Sequence, residues 1–232
     1  MSGTDSQQHR LKPLEGKPAG TLLIHEIYRS LQGESTFAGL PCVFVRLTAC
    51  QMRCRYCDTP HAFVQGEVLE LDHVVSRVLG LGGNLVEITG GEPLLQPEVY
   101  PLMTRLAGMG KTVLLETGGG IDIADVDPRV HIILDIKTPG SGEAGGNVWS
   151  NLARLKSIDE IKVVVCNRSD FDWAVEIVRD HNLTWRCPVL FSCAFDQVSP
   201  VDLAGWILES RLPVRLQLQQ HKIIWDPGAR GV

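Results

Sequence analysis

Eight short runs of apolar and β-branched residues punctuate the chain, and their alternation with helical patterns limits the folds open to it. The runs are Leu22–Tyr28, Cys42–Thr48, Leu85–Thr89, Thr112–Glu116, Val130–Ile136, Ile161–Cys166, Pro188–Phe191 and Val214–Leu218. Most are nearly all apolar, as expected of strands buried on both faces of a parallel sheet. Helical patterns fall between them at Leu71–Leu79, Pro97–Ala107, Val148–Leu155, Asp170–Asp180 and Pro200–Leu212. This repetition predicts an α/β fold. A closed eight-fold barrel takes about 250 residues. With 232 residues, about six βα units and an N-terminal hairpin extension, the chain predicts an incomplete parallel β/α barrel. Chemistry in such folds gathers at the C-terminal ends of the strands. No internal repeat or low-complexity tract is visible, and the glycine-rich Pro139–Gly146 reads as a mobile loop.

The second run leads into Cys50, Cys54 and Cys57, spaced CxxxCxxC. Three thiolates on one short loop are one short of the four ligands of a structural zinc site or of most electron-transfer iron–sulfur clusters. A 4Fe-4S cluster held here keeps one iron open to an external molecule; thiolates suit zinc equally. Cys42, Cys166, Cys187 and Cys193 lie singly in apolar runs and read as small core residues. Met1–Gly20 is polar, without the apolar core of a secretion signal, and reads as a flexible tail before a single domain at 21–232. Seven cysteines without an export signal predict a reducing, cytoplasmic setting. A net charge of −5 with no Lys/Arg tract argues against nucleic-acid partners. No apolar run approaches the roughly 20 residues needed to span a bilayer.

Other polar residues cluster at the predicted strand ends. In Thr89-Gly90-Gly91-Glu92-Pro93 two glycines let a ligand approach the backbone closely, and exposed carbonyls suit an ammonium group. Glu116 and Asp135 end the next two strands; an acid there suits a ribose hydroxyl or an amine, and Lys137 a carboxylate. Ser192 occupies the same position one layer further on. Arg46 shares a strand face with Phe44 and Thr48, and an inward arginine calls for an anion, typically held bidentately. Thr59, just past the cysteine loop, reads as a turn residue or as a single hydroxyl ligand to magnesium, which takes few protein ligands.

CxxxCxxC with Tyr56 before its last cysteine resembles the cluster loop of the radical S-adenosylmethionine (SAM) enzymes, and TGGEP resembles their SAM-binding segment. Together with SLQGE at Ser30–Glu34, VRLTAC at Val45–Cys50, CRYCDT at Cys54–Thr59, LETGG at Leu115–Gly119, DIK at Asp135–Lys137 and HKIIW at His221–Trp225, the chain is similar to one subgroup, the 7-carboxy-7-deazaguanine synthases of queuosine and 7-deazapurine biosynthesis. The resemblance implies ring contraction of 6-carboxy-5,6,7,8-tetrahydropterin to 7-carboxy-7-deazaguanine with loss of ammonia, SAM being used catalytically. It implies a 4Fe-4S cluster on Cys50, Cys54 and Cys57, and SAM against Tyr56, Asp58, Gly91, Glu116, Asp135, Lys137 and Ser192. Substrate falls to Leu31, Gln32, Gly33, Arg46 and Thr89, with Gln32 suited to a pterin's amide edge. Thr59 would ligate Mg2+ that touches the substrate carboxylate. An external electron donor and a homodimer are implied as well.

Two rival readings share part of this pattern. A radical SAM activase of a glycyl-radical protein shares the cluster loop but needs no Arg46–Thr59 carboxylate site. A structural zinc or electron-transfer iron–sulfur protein needs a fourth protein ligand, from Cys42, Cys166, Cys187 or Cys193, and no affinity for SAM.

Overall fold

The computed structural model describes residues 9–232. Nine strands form one sheet: β1 (Thr21–Leu31), β2 (Pro41–Leu47), β3 (Glu67–Glu70), β4 (Leu85–Gly90), β5 (Thr112–Thr117), β6 (His131–Ile136), β7 (Glu160–Val165), β8 (Val189–Cys193) and β9 (Arg215–Gln217). Their spatial order is β3-β1-β2-β4-β5-β6-β7-β8-β9. β1 runs antiparallel to both its neighbours, while every pair from β2–β4 to β8–β9 is parallel. The edges β3 and β9 do not pair, so the barrel is incomplete, as the element count predicts.

Four α-helices cross over between parallel strands: α1 (Leu71–Leu81), α2 (Val99–Gly108), α3 (Arg168–Asp180) and α4 (Pro200–Ser210). A one-turn α5 (His221–Ile224) follows β9. Local chemistry sets several of their ends. Asn167 caps α3 by accepting from the Asp170 N–H at 2.9 Å, and Ser199 caps α4 by accepting from the Asp202 N–H at 3.1 Å. Pro200 opens α4, where a missing N–H costs nothing.

The structure departs from the sequence reading in four places. The helix expected at Val148–Leu155 is 3-10, over Trp149–Arg154. Within it, buried Asn151 serves the helix-free β5–β6 connection, donating to the Ile121 carbonyl at 2.8 Å and accepting from the Ile123 N–H at 3.2 Å. β3 went unread because Glu-Val-Leu-Glu is too short and too polar to show a period. Pro139–Gly146 forms two 3-10 turns with Ser141 fully buried, docked on the cysteine loop. Of the expected tail, 1–20, residues 1–8 lie outside the described residues. The remainder is anchored by Arg10, which donates to the Gln51 carbonyl at 2.7 Å, and by a Lys17–Glu98 ion pair at 2.8 Å.

The strands alternate strictly between two environments. Val43, Val45 and Leu47 of β2, Val86 and Ile88 of β4, Val113 and Leu115 of β5, and Ile161, Val163 and Val165 of β7 face the helices in one continuous core. The residues between them point into the barrel. At its N-terminal end they are apolar, with Cys42, Phe44, Leu85, Leu114 and Ile133 forming a separate plug. Further along the same faces come Arg46, Glu87, Thr89, Glu116, Asp135 and Lys162, so polarity rises toward the C-terminal ends. Leu115 lies on the helix side with no exposed surface. Leu115→Ala is expected to cost about 2–5 kcal/mol through lost burial and a residual cavity, read as a lower denaturation midpoint at unchanged slope.

Candidate active site

A cavity of about 240 Å³ opens at the C-terminal ends of the strands, lined by the cysteine loop on one side and by the charged inward residues beneath. The loop's path is set by two close approaches. Ala49, just before Cys50, takes a left-handed conformation at φ +80°, held by its N–H to the Ala62 carbonyl at 2.9 Å and by the Glu92 N–H to its own carbonyl at 2.8 Å. Gly91 lies so close beneath that a Cβ there would sit on the Ala49 carbonyl. Met52 is buried and wedges against Gly118, Gly120 and Gly146, which accounts for the glycine run after β5. Arg53 donates to the Cys50 and Met52 carbonyls at 2.7 and 2.6 Å and lies over the Phe63 ring. The Arg55 N–H donates to the Ser141 carbonyl at 3.0 Å.

Cys50, Cys54 and Cys57 all face the cavity. Among the described residues, their sulfurs do not gather within 4.8 Å of one another as the atoms around a single ion would. A lone zinc with Zn–S bonds of about 2.3 Å needs a tighter trio; a cluster, with one iron per thiolate, needs the wider one. Burial pushes the Cys50 thiol up to about 12 and raises that of Cys54, against the pull of the Lys137 ammonium on both. Loading therefore displaces protons. Of the remaining cysteines, Cys42 lies in the apolar plug, Cys187 in the main core and Cys166 against Val164 and Ala194, while Cys193 packs on the main core and reaches the cavity wall. Buried beside the loop, the Tyr56 hydroxyl and one Asp135 carboxylate oxygen lack hydrogen-bond partners. Buried polar atoms are rarely left so, and these two suit a polar ligand lying across the loop.

Most residues singled out from the sequence meet in this cavity: Leu31, Gln32, Gly33, Arg46, Tyr56, Asp58, Thr59, Thr89, Gly91, Glu116, Asp135 and Lys137. Ser192 does not. It lies in a neighbouring hollow of about 400 Å³ with Phe195, Gln217 and Lys222. Arg46 is not free for an anion on all sides. Its Nε pairs with Glu26 at 2.8 Å and an Nη donates to the Tyr28 hydroxyl at 3.3 Å, leaving further N–H groups for the cavity. A bulge at His25 brings Glu26 opposite Arg46. Lys137 and Asp135 pair at 2.7 Å; burial works against the ammonium, but Asp135, Tyr56 and Cys54 outweigh it and the Lys137 pKa is raised. At the rim, Lys222 lies 3.3 Å from Asp58, and the His221 ring lies against Gly33, where a Cβ would collide with it.

The sequence reading missed Glu87, Lys162 and the role of Glu92. Lys162 joins Glu116 to Glu34, pairing with Glu34 at 2.6 Å. Glu87 contacts Gln32 and Glu116. The signal was present: each is a lone charge within an apolar run, Val86-Glu87-Ile88 and Ile161-Lys162-Val163, on the inward parity. Glu92 points away from the cavity and ties β4 to β5, accepting from the Leu94 and Gly118 N–H groups at 3.1 and 2.9 Å and from the Thr117 hydroxyl at 2.9 Å.

Comparison with known proteins gives concordant results. The Radical SAM superfamily profile matches residues 45–137. The chain is 46% identical over 214 residues to the 7-carboxy-7-deazaguanine synthase of Chlorobaculum tepidum, covering 91% of this chain and 97% of that protein. It is 47% identical over 224 residues to the 7-carboxy-7-deazaguanine synthase of Koribacter versatilis, with 90% and 99% coverage. The crystal structure of QueE from Escherichia coli superposes with a TM-score of 0.71 over 90% of this chain and 99% of that one at 22% identity, a likeness of fold. Gly91→Ala is expected to push the loop off β4 and to lower iron and sulfide content per chain after reconstitution. Full cluster content in that variant would show that the close approach is dispensable.

Proposed function

The chain belongs to the 7-carboxy-7-deazaguanine synthase family of the radical SAM superfamily, and from that membership we propose how its cavity divides the work. The enzyme is a radical SAM lyase of queuosine biosynthesis. It converts 6-carboxy-5,6,7,8-tetrahydropterin to 7-carboxy-7-deazaguanine with loss of ammonia, and its cofactors are a 4Fe-4S cluster, SAM and Mg2+. The observation that carries the assignment of roles is that the three loop thiols, Arg46 and Thr59 line one cavity.

In this reading Cys50, Cys54 and Cys57 hold the cluster. With SAM bound and an electron donor external to the chain, such a cluster would supply the radical chemistry that takes a hydrogen atom from the substrate. Tyr56, Asp58, Gly91, Asp135 and Lys137 bind SAM. Gly91 lets the cysteine loop close down on the strand end, and the unpartnered Asp135 oxygen and Tyr56 hydroxyl supply polar contacts. Arg46 takes the substrate carboxylate through the N–H groups that Glu26 and Tyr28 leave free, while Glu26 fixes the guanidinium plane. Thr59, with its hydroxyl 3.9 Å from the Cys57 sulfur, would offer one oxygen to Mg2+, an ion that takes few protein ligands. Leu31, Gln32, Gly33 and Thr89 line the substrate side. Glu116 faces that side too, through Gln32's neighbour Glu87, so its assignment moves from SAM toward substrate. Ser192 lines the adjoining hollow, which shares Cys193, Phe195, Gln219 and Lys222 with this cavity. Among the described residues, no helix is long and apolar enough to cross a membrane.

An anaerobic assay of reconstituted enzyme with SAM, reductant, Mg2+ and the carboxytetrahydropterin tests this division. Wild type should release a product lighter by ammonia, in excess over SAM consumed. Cys54→Ala should lose cluster and activity together. Thr59→Ala should keep its cluster and lose turnover along with its Mg2+ dependence; undiminished, Mg2+-stimulated turnover in that variant would remove Thr59 as the metal ligand.

A further inference from the structure

Glu87 is an inward, buried carboxyl that no ion pair reaches among the described residues. Lys162 serves Glu116 and Glu34, Lys137 serves Asp135, and Arg46 serves Glu26. The other ionisable groups around it, Glu34, Tyr28 and Cys42, are themselves acids and bring no positive charge. It is 3% exposed, on the β4 face that points into the barrel, and lies within hydrogen-bonding reach of Glu116 on β5. Two carboxylates at that distance, away from water, do not both ionise; one keeps a proton and donates it to the other. Lys162 decides which. Its ammonium lies against Glu116, so the negative charge belongs there and the proton belongs on Glu87.

A neutral Glu87 then has one donor and one acceptor to place, and the structure supplies a partner for each. The Gln32 Nε2 donates to Glu87, and the Gln32 carbonyl oxygen accepts from the Glu34 N–H at 3.1 Å. Gln32 is therefore fixed in one amide orientation before any ligand arrives. We propose that Glu87 is a positioning residue for the pyrimidine half of the substrate: a carboxylic acid that donates to Glu116, accepts from Gln32, and so leaves one ionised carboxylate and one oriented amide at the cavity floor. This choice of ligand rests on the function proposed above. The 2-amino-4-oxo edge of a pterin offers adjacent N–H donors, which match the single carboxylate of Glu116. An ionised Glu87 would still accept from Gln32 but would turn a second acceptor on Glu116, with no donor between the two carboxylates.

The arrangement predicts an asymmetry between two substitutions. In Glu87→Gln, the new amide NH2 replaces the acid's O–H toward Glu116, and the new C=O still accepts from Gln32. The variant is expected to keep KM for the pterin near wild type. Glu87→Leu removes both bonds and should raise KM about tenfold or more, the scale of one lost hydrogen bond to a charged group, with a smaller effect on SAM cleavage. The proton is read without turnover, by infrared difference spectroscopy of cluster-loaded wild type against Glu87→Gln. A carbonyl stretch of a neutral carboxylic acid, present in wild type and lost in Glu87→Gln, is the expected result. Its absence from wild type, or its persistence in Glu87→Gln with loss in Glu116→Gln, overturns the proposal whatever the substrate proves to be. If Glu87→Gln raises KM as much as Glu87→Leu, a neutral acid is not what the site uses. Should the leucine variant fail to fold, the infrared comparison and the glutamine variant still decide.

Discussion

Inward-facing charge has to be neutralised in place, because an unpaired charge inside a parallel sheet is among the costliest groups a fold can carry. This barrel meets that requirement by placing groups of opposite sign within reach of one another on its inner face. Lys162 of β7 lies between Glu116 of β5 and Glu34 of the β1–β2 loop; Asp135 of β6 meets Lys137 two residues on; Arg46 of β2 meets Glu26 of β1. The Lys162 pairs bridge elements far apart in the chain, so that part of the polar floor exists only once the strand order is complete. The apolar plug below needs no such matching, which is why the two halves of the interior differ so sharply in composition.

Above this floor, the cysteine loop depends on backbone approach more than on side-chain bonds. Ala49 is held in a left-handed conformation by partners on both sides, one from the segment after the loop and one from Glu92. Glu92 is fixed in turn by Thr117 and Gly118. The end of β5 therefore braces the end of β4, which braces the start of the loop. Met52 closes the circuit by packing against the glycines after β5. The loop's conformation follows from the register of two parallel strands, so the three thiols point at the same cavity as Asp135 and Lys137.

The fold was legible because buried parallel strands are continuous apolar runs, and the runs at Leu85, Thr112 and Ile161 begin within a residue of β4, β5 and β7. β3 and the 3-10 turns at Trp149–Arg154 were not, since each is stabilised by a tertiary partner and not by its own pattern: β3 by pairing with β1, the turns by Asn151. Among site residues, those in contiguous motifs were readable, whereas Glu87 and Lys162 matter only through strands brought beside them. Arg46 was read correctly as inward but not as already paired, because Glu26 reaches it through a bulge that no two-residue alternation anticipates. Ser192 marks a limit of the same kind: strand-end position alone does not say which of two adjoining hollows a side chain lines.

The same pairings explain how so small a cavity can be selective. Arg46 is aimed by Glu26 and Tyr28, Gln32 by Glu87 and the Glu34 N–H, and Glu116 by Lys162. Each group that faces the ligand has spent part of its hydrogen-bonding capacity on a fixed neighbour, and what remains points one way. Such preorganisation lowers the cost of ordering side chains on binding and penalises a ligand whose donors and acceptors are misplaced, since the site cannot turn to meet it. Neutralising buried charge and orienting the recognition groups are thus one arrangement: the counter-ion that makes a polar side chain tolerable inside the barrel is also what aims it.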